Sequence, residues 1–519
     1  MRQTASYTLL LCFWGFLLFL TTSSLKADNE DVLSRLIPIN KGKGSIYKML
    51  GQITDHSGYL FIYDSNLIEN DKEVKIKTGT YTIRAAIHLI TGNDNIGLKV
   101  IGNHILIYKP DLTLSPIHQT LDRSPENDFL TIEGVILNRY TSEPIPFATV
   151  GISQAAIGTV TNQNGEFRFR FPDSLRKEPI QFSHIGFIPQ EIESNLIVNG
   201  HHRISLEPKV ISLQEIIVRL VNPQKLLEDM LERRKLNNAP KPVYHTTFYR
   251  EGVEHKKKLN SLTEGVFRIY KTPFSQPESS DQVKLLKMRR IIDQHERDTV
   301  IAKFKSGIHA SLMLDPVKHL PDFLTHPDWY DYVHSDITVK EGRLANVIVF
   351  EQRKGITEPL YKGEIYIDAE NSALLGISFH IHPAFVKKAA GMFIEKKSKK
   401  LSVTPQKISY TVSYKAWNGV YYINHIRGDL FFKVRQRRKL FHSTLHTWFE
   451  MVTSKTDTLN VSRFTRQEVF HPHTIFAETP FTYDKRFWED FNIIPPEEKL
   501  SDALHKISSK IEMESAEGF

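Results

Sequence analysis

The chain has 519 residues, with 67 lysines and arginines against 59 aspartates and glutamates, and a formal net charge of +8. Its 40% content of hydrophobic residues is typical of a folded protein and excludes an intrinsically disordered one. The one cysteine, Cys12, lies in an apolar N-terminal run, so the rest of the chain offers no disulfide, thiolate metal site or thiol nucleophile.

Residues 1–27 have the pattern of a secretory signal peptide. Arg2 precedes the unbroken apolar residues 9–20, and small and polar residues then lead to Ala27. This apolar run is shorter than the roughly 20 residues that a membrane span needs, although an uncleaved anchor is the alternative. We therefore predict an exported protein that begins near Asp28 and is soluble or peripheral to a membrane.

Residues 28–110 predict a small α+β domain. Two short helices have apolar residues at i, i+3, i+4 and i+7, each behind a serine or threonine N-cap. These residues are Ser45, Ile46, Met49, Leu50 and Ile53 in the first helix, and Thr82, Ile83, Ala86, Ile87 and Ile90 in the second. Strand-like runs separate the helices, and a hairpin that turns at Gly102 and Asn103 closes the segment.

The same segment resembles the secretin/TonB short N-terminal domain. The residues that carry the resemblance are 37–39, 57–64, 79–82 and 85–87. The first helix, at 45–50, is bulkier than the small-residue-rich helix of that family. The resemblance implies a βαβ module in the periplasm that contacts other envelope proteins and has no catalytic role. An unrelated small α+β domain is the alternative.

Residues 111–129 are polar and rich in proline, which predicts a linker. The following residues, 130–218, hold short strands between frequent turns, a pattern that favours a β-sandwich. Among these strands, 166–171 alternate strictly between apolar and polar or charged residues. Gly165 is expected to adopt a positive φ in the turn before that strand.

Residues 130–218 resemble the carboxypeptidase regulatory-like domain, through 144–150, 158–167 and 182–187. In that family the domain is an accessory sandwich without the zinc site. None of the 22 histidines here has glutamate three positions later, and no HExxH occurs, so a zinc peptidase is excluded. Asn162 stands where the family usually has aspartate, so no cation is predicted at that turn.

Residues 213–218 resemble the connector that precedes the plug of TonB-dependent outer-membrane transporters. The rest of the chain is too short for a plug and a large barrel, so a transporter is not predicted.

Residues 219–519 predict a mainly antiparallel β domain with helices at both ends. One helix begins after Asn222, and another is centred on 500–511. Two hairpins turn at 371–372 and at 418–419. These long hairpins also resemble, weakly, the curved sheets of periplasmic lipoprotein carriers. The predicted fold is thus multi-domain, with an α+β module, a β-sandwich and a mainly antiparallel β domain.

Several polar features of the last domain suggest sites. Three pairs of histidines could ligate a metal, but no carboxylate lies in the immediate run of the first pair to complete a site, and exposed strand histidines are favoured for all three. The pairs are His380 and His382, His442 and His446, and His471 and His473. The basic runs 396–400 and 435–439 could face anionic head groups or glycans, although solvated loops are favoured.

Carboxylates also lie beside aromatic residues, at Glu251 and Glu264 near Arg250. Two carboxylates serve glycoside chemistry only at a defined separation, and a structural Arg–Glu pair is favoured. No phosphate-binding loop and no nucleophile elbow occurs. The sequence therefore predicts no catalytic, cofactor-binding or metal-ligating residue.

The leading hypothesis is a non-catalytic interaction protein in the periplasm or on the periplasmic face of the outer membrane. It would bind other envelope proteins, as an accessory to TonB-linked uptake or signalling, and would not bind nucleic acid. A lipid or lipoprotein carrier is one alternative, and it predicts an apolar cavity inside a curved sheet. An enzyme acting on envelope glycans is another, and it predicts a cleft with converging carboxylates of perturbed pKa.

Overall fold

The computed structural model describes residues 29–63, 67–68, 72–101, 104–108, 129–197, 200–209, 222–256, 258–276, 280–292, 302–304, 307–340, 342–397, 401–436, 442–474, 476, 479 and 491–496. The predicted signal peptide, the predicted linker up to residue 128, the connector-like residues 213–218 and the predicted last helix lie outside them. The chain divides into two compact units, Met1–Gln119 and Thr120–Phe519.

The described residues of the first unit form three helices and seven short strands. The helices are α1 (Asn29–Ser34), α2 (Ile46–Ser57) and α3 (Ile83–Thr91). The strands are β1 (Leu36–Ile39), β2 (Lys43–Ser45), β3 (Leu60–Tyr63), β4 (Glu73–Lys75), β5 (Gly79–Thr82), β6 (Gly97–Ile101) and β7 (His104–Tyr108). Strand β3 pairs in parallel with β7, which pairs with β6 in the predicted hairpin. Strand β1 pairs with β5, and β2 with β4.

The helices α2 and α3 begin where the sequence predicts them. Ser45 Oγ accepts a hydrogen bond from the Lys48 amide, at 3.4 Å, and Thr82 Oγ1 accepts one from the Ala85 amide, at 3.1 Å. Each bond satisfies an amide group that the first helical turn leaves without a backbone acceptor. The apolar faces of both helices, with Ile53 at their centre, form the core of the unit. The prediction of these helices is confirmed.

The second unit is mostly β. Its helices are α4 (Pro223–Asn237), α5 (Gly307–Met313), α6 (Asp322–Thr325) and α7 (Ala390–Phe393). Its strands are β8 (Phe129–Asn138), β9 (Thr149–Ile152), β10 (Ile157–Val160), β11 (Glu166–Pro172), β12 (Pro179–Ser183), β13 (Gln190–Glu193), β14 (His201–Leu206), β15 (Val243–His255), β16 (Lys258–Lys271), β17 (Gln282–Ile292), β18 (Ala302–Phe304), β19 (Tyr330–Lys340), β20 (Arg343–Gln352), β21 (Tyr361–Asp368), β22 (Leu374–Ile381), β23 (Ile394–Lys397), β24 (Leu401–Trp417), β25 (Val420–Gln436) and β26 (Ser443–Asp457).

Two sheets lie at the start of this unit, in the residues for which the sequence predicts a sandwich, and these residues are here called the sandwich. One has the order β11-β8-β14, and the other begins β13-β12-β9-β10. Phe167 of β11 meets Phe182 of β12 between them, with ring centroids 5.6 Å apart. Every second residue of β11 is buried, and Gly165 has a φ of +74° in the preceding turn. Both expectations for this strand and its turn are confirmed.

The largest sheet is antiparallel and curled, with the order β17-β16-β15-β26-β25-β24-β22-β21-β20-β19. Strand β10 of the sandwich also pairs with β26, where Ile157 lies opposite Lys455. One sandwich sheet therefore continues into the curled sheet. The predicted hairpin turn is confirmed, because Asn418 and Gly419 have φ values of +50° and +74° between β24 and β25.

The inner face of the curled sheet holds the main core of the unit. Leu227 and Met230 of α4, Ile308 of α5 and Phe323 of α6 all pack against its strands. Asn222 Oδ1 caps α4 by accepting a hydrogen bond from the Gln224 amide, at 3.0 Å, which confirms the predicted helix start. Within the described ranges, no helix is long and apolar enough to cross a membrane.

Candidate ligand-binding cavity

A cavity of about 660 Å³ lies between the inner face of the curled sheet and the helices α5, α6 and α7. Strands β15, β16, β21, β22, β24, β25 and β26 contribute side chains to its wall. This volume falls within the range of cavities that bind small molecules, about 300–1,000 Å³. A second cavity, beside Lys271 and Asp315, has only about 50 Å³.

Most side chains of the wall are apolar or aromatic. Prominent examples are Leu320, Phe393, Leu430, Phe449 and Phe476. Such a surface holds water poorly and gains free energy when an apolar ligand covers it, at about 25 cal/mol for each Å² removed from water. The wall is therefore suited to an apolar molecule.

Four aromatic rings form a continuous surface in this cavity, here called the aromatic floor. It consists of Tyr361 of β21, Phe379 of β22, Tyr410 of β24 and Phe449 of β26. Successive ring centroids are 5.1, 5.3 and 6.5 Å apart, which are ordinary distances for aromatic contact. Burial raises the pKa of both Tyr361 and Tyr410, so their hydroxyl groups stay neutral at physiological pH.

Two carboxylates belong to the wall of the cavity, on opposite flanks of the sheet. Glu251 lies on β15, and its Oε2 accepts a hydrogen bond from Tyr249 Oη at 2.6 Å. Asp322 begins α6 near Tyr361 of β21, whose pKa is raised first by burial and then by Asp322. Five strand steps separate β15 from β21 in the order of the curled sheet.

The histidine pairs singled out from the sequence have other partners. His382 Nε2 lies 3.0 Å from Glu351 Oε1, and His446 Nε2 lies 3.0 Å from Asp429 Oδ1. His446 also stacks on Phe431, with centroids 4.0 Å apart. Burial opposes protonation of His446, but its hydrogen bonds to carboxylates dominate and raise its pKa.

The expectation of exposed strand histidines is wrong for His380, His382 and His446, because all three are partly buried. It agrees with the exposed positions of His442, His471 and His473. No group of three potential metal ligands occurs among the residues that the structure covers. Of the basic runs, 398–400 and 437–439 lie outside those residues.

On the outer face, five side chains of alternating charge cross five neighbouring strands, here called the charge row. In strand order they are Arg289, Glu264, Arg250, Glu450 and Arg427, each the register partner of the next. Arg289 Nε donates to Glu264 Oε2 at 2.6 Å, Arg250 Nε donates to Glu450, and Arg427 Nη1 lies 3.3 Å from Glu450 Oε2. Arg–Glu pairs thus form as expected, but Arg250 pairs with neither Glu251 nor Glu264.

The pair of Arg250 and Glu450 is fully buried, with 0% of either side chain exposed. Burial alone would raise the pKa of Glu450, but the neighbouring arginines reverse that effect and lower it. Residues 491–496, here called the closing segment, cover the pair. Arg250 Nη1 donates to the carbonyl oxygens of Ile494 and Pro495, at 3.4 and 3.3 Å.

The closing segment also contacts the sandwich. Asn492 Nδ2 donates to the Arg170 carbonyl at 2.8 Å, and Asn162 Nδ2 donates to the Pro495 carbonyl at 3.2 Å. Asn162 Oδ1 accepts the amide protons of Asn164 and Glu166 within its own turn, both at 2.9 Å. Asn162 therefore shapes a turn and holds the closing segment.

Residues 132–218 match the family model of the CarboxypepD_reg-like domain. This match confirms the resemblance that the sequence shows over the same part of the chain. No curated protein matches the chain.

Three solved structures resemble the fold distantly. A domain described as an outer membrane lipoprotein-sorting protein, from Vibrio parahaemolyticus, is 11% identical with a TM-score of 0.23, covering 47% of this chain and 96% of its own. A DUF1329 family protein from Desulfovibrio piger is 12% identical with a TM-score of 0.22 and the same coverages. A LolA superfamily protein from Nitrosomonas europaea is 10% identical with a TM-score of 0.18, covering 48% and 96%. Similarity this low leaves the function to be argued from the cavity itself.

Proposed function

We propose that the protein is a non-catalytic carrier that holds an apolar or amphiphilic molecule, such as a lipid or the acyl chains of a lipoprotein, inside its curled sheet. The observation that carries the proposal is the apolar cavity of about 660 Å³ above the aromatic floor. An apolar cavity inside a curved sheet is what the carrier alternative predicts. We place this carrier in the cell envelope, because the sequence predicts a signal peptide.

Burial of an acyl chain would supply the binding energy. Each methylene removed from water gains about 0.8 kcal/mol, so a chain of about twelve gains about 10 kcal/mol. Association costs at least about 4 kcal/mol in lost translational and rotational freedom. The balance of about 6 kcal/mol corresponds to a dissociation constant of about 40 μM, which a fluorescence titration can measure.

The entrance of the cavity is proposed to lie between α5 and α7. Met313 at the end of α5 and Met392 of α7 both line the cavity, and they are 36% and 40% exposed. Their unbranched, polarisable side chains can adapt to ligands of different shape. An apolar molecule that enters there would meet no charged side chain at these two positions.

Binding of the neutral fluorescent probe N-phenyl-1-naphthylamine tests the proposal. We expect a strong rise in its emission with the full chain, and loss of that rise in Ala310→Trp, which fills the cavity from α5. Leu344→Trp is the control, since it introduces the same residue at an exposed position of β20 outside the wall. Absence of binding by the wild-type chain, or equal binding by Ala310→Trp in a folded state, would contradict a carrier.

We propose a second role for the first unit, which is contact with other envelope proteins, including TonB-linked transport components. The unit has a complete core of its own, yet Leu36 and Leu89 are 69% and 48% exposed. A photo-reactive residue in place of Leu89, in cells that export the full chain, tests this role. An adduct with a TonB-linked component is expected, and adducts with unrelated proteins alone would argue against it.

A further inference from the structure

Two of the four rings of the aromatic floor carry a hydroxyl group. Tyr361 of β21 and Tyr410 of β24 flank Phe379 of β22, with ring centroids 5.1 and 5.3 Å from that of Phe379. Tyr410 is only 7% exposed, and Tyr361 is partly buried. The floor of the cavity thus holds two polar atoms within an apolar surface.

Neither hydroxyl group has a hydrogen-bond partner within the described part of the chain. A buried tyrosine usually finds such a partner, because leaving its hydroxyl group unpaired costs free energy. Tyr414, also on β24, shows the ordinary arrangement, since its Oη donates to Asp315 Oδ1 at 2.5 Å. Tyr361 and Tyr410 therefore keep hydrogen-bonding capacity that the described fold does not use.

Both hydroxyl groups meet the space of the cavity. The two residues belong to its wall, and neither oxygen is among the polar atoms that the protein encloses completely without a partner. Burial is the first cause that raises the pKa of Tyr410, and the second is Tyr361, so the two hydroxyl groups lie within electrostatic range of each other. Both keep their protons at physiological pH and can donate them to a ligand.

Two neutral hydroxyl groups on an apolar surface suit a ligand with a hydrogen-bond acceptor. A carbonyl oxygen has two lone pairs, so it can accept from both groups. A hydrogen bond in surroundings of low dielectric constant is also stronger than the same bond in water. A carboxylate would accept as well, but the described wall contains no lysine or arginine to compensate its charge. A neutral carbonyl group is the better match.

We infer that Tyr361 and Tyr410 together bind a neutral carbonyl group of the ligand, such as the ester or amide that links an acyl chain to the rest of a lipid. The inference rests on the proposed carrier function and narrows its ligand class to acylated amphiphiles. The apolar part of the ligand would lie on the rest of the aromatic floor.

Competition against bound N-phenyl-1-naphthylamine tests this inference with two matched ligands. Methyl decanoate and decyl methyl ether differ only in the carbonyl oxygen of the ester, which two hydrogen atoms replace in the ether. The measured quantity is the dissociation constant of the ether divided by that of the ester, here called the ester preference. Because the two ligands also differ in their transfer from water, the comparison is made between variants of the protein.

Tyr361→Phe and Tyr410→Phe each keep the ring and remove the hydroxyl group. Each should lower the ester preference about fivefold, as expected for the loss of one hydrogen bond. Tyr366→Phe is the matched control, because Tyr366 lies on β21 outside the cavity wall and donates to Glu364 Oε2 at 2.6 Å. It should leave the ester preference unchanged.

The infrared carbonyl band of methyl decanoate bound to the wild-type chain is a second measurement that needs no variant. Hydrogen bonding weakens the carbonyl bond, so we expect the band at a lower wavenumber than in hexane. A band at the position found in hexane would overturn the inference.

The outcomes separate this inference from the proposed function. If the probe binds but the ester preference is the same in the wild-type chain and in either Tyr361→Phe or Tyr410→Phe, the carrier function stands and the carbonyl inference is wrong. An equal fall in Tyr366→Phe would overturn the inference in the same way. If the wild-type chain does not bind the probe at all, both fail together.

Discussion

Gly428 of β25 and Phe449 of β26 are register partners, and the Phe449 ring occupies the space that a side chain at position 428 would need. A Cβ atom there would lie 2.5 Å from Phe449 Cε1 and 3.1 Å from Tyr410 Cε1. The ring of Phe449 therefore lies across the backbone of β25 towards Tyr410 of β24. The four rings of the aromatic floor are therefore in continuous contact only because residue 428 is a glycine.

The substitution Gly428→Ala should consequently weaken ligand binding. The methyl group would displace the Phe449 ring, and we expect the affinity for N-phenyl-1-naphthylamine to fall severalfold, measured by fluorescence titration. Gly51→Ala is the control, because a Cβ on Gly51 of α2 meets no atom within 4 Å. That helical change should stabilise the first unit by about 0.5–1 kcal/mol and leave binding intact. Unchanged affinity in Gly428→Ala would show that the floor does not contact the ligand.

Removal of one member of the buried ion pair should destabilise the second unit. Glu450→Gln leaves Arg250 charged and buried, and loss of one partner of a buried pair costs about 3–5 kcal/mol. The matched control is Glu133→Gln, whose partner Arg168 lies 3.0 Å away on the partly exposed surface of the sandwich. It should cost less than about 1 kcal/mol. Urea unfolding curves of the three proteins measure both values, and equal midpoints would refute the prediction.

The stability of the second unit should fall as the pH is lowered from about 6.5 to 4. Burial, and next the charge of Lys271, lower the pKa of His245 from 6.5 to about 4, so the folded state holds this ring neutral. The unfolded chain binds the proton first, and stability is lost as the pH falls through that window. The shift corresponds to roughly 3 kcal/mol.

Unfolding midpoints at pH 4 to 7 measure the effect of His245. The variant His245→Gln should reduce this dependence, whereas His442→Gln, at an exposed position, should preserve it. An unaltered slope in His245→Gln would assign the pH dependence to other groups.

Limited proteolysis should cut the chain first in the proline-bearing residues 111–129, and release the first unit. The boundary between the two compact units falls within that stretch of sequence, between residues 119 and 120. If a later cut falls between 207 and 221, the sandwich should remain bound to the rest of the second unit in gel filtration. Strand β10 pairs with β26, and Asn492 bonds to Arg170, so the pieces stay associated. Early fragments that begin within 131–206 would contradict this prediction.

Local features of the fold follow from the sequence because their causes are local. Ser45, Thr82 and Asn222 cap helices through amides two or three residues away, and Asn418 with Gly419 supplies the two positive φ values of a tight hairpin. Each of these requires only neighbouring residues. The alternation of β11 likewise predicts its buried face.

The cavity was beyond reach of the same reasoning. Tyr410 and Phe449 lie on strands that are compatible with the sequence pattern. The pattern does not show which face of a strand becomes the inside of a curled sheet. The partner of Arg250 is 200 positions away, at Glu450, and only the register of β15 against β26 brings them together. The carboxylates that lie nearer in sequence, Glu251 and Glu264, are the partners that the sequence suggests for Arg250, and neither pairs with it.

The closing segment makes the order of synthesis matter for this protein. Arg250 emerges about halfway along the chain, yet the carbonyl oxygens that cover it belong to Ile494 and Pro495. Until those residues are synthesised, the outer face of the curled sheet exposes Arg250 and Phe248. In the complete fold Phe248 packs against Ile493 and Ile494. A growing or partly translocated chain would therefore expose a buried arginine and an apolar side chain of this face until late in its synthesis. Truncation before residue 491 would leave Arg250 and Phe248 without this cover.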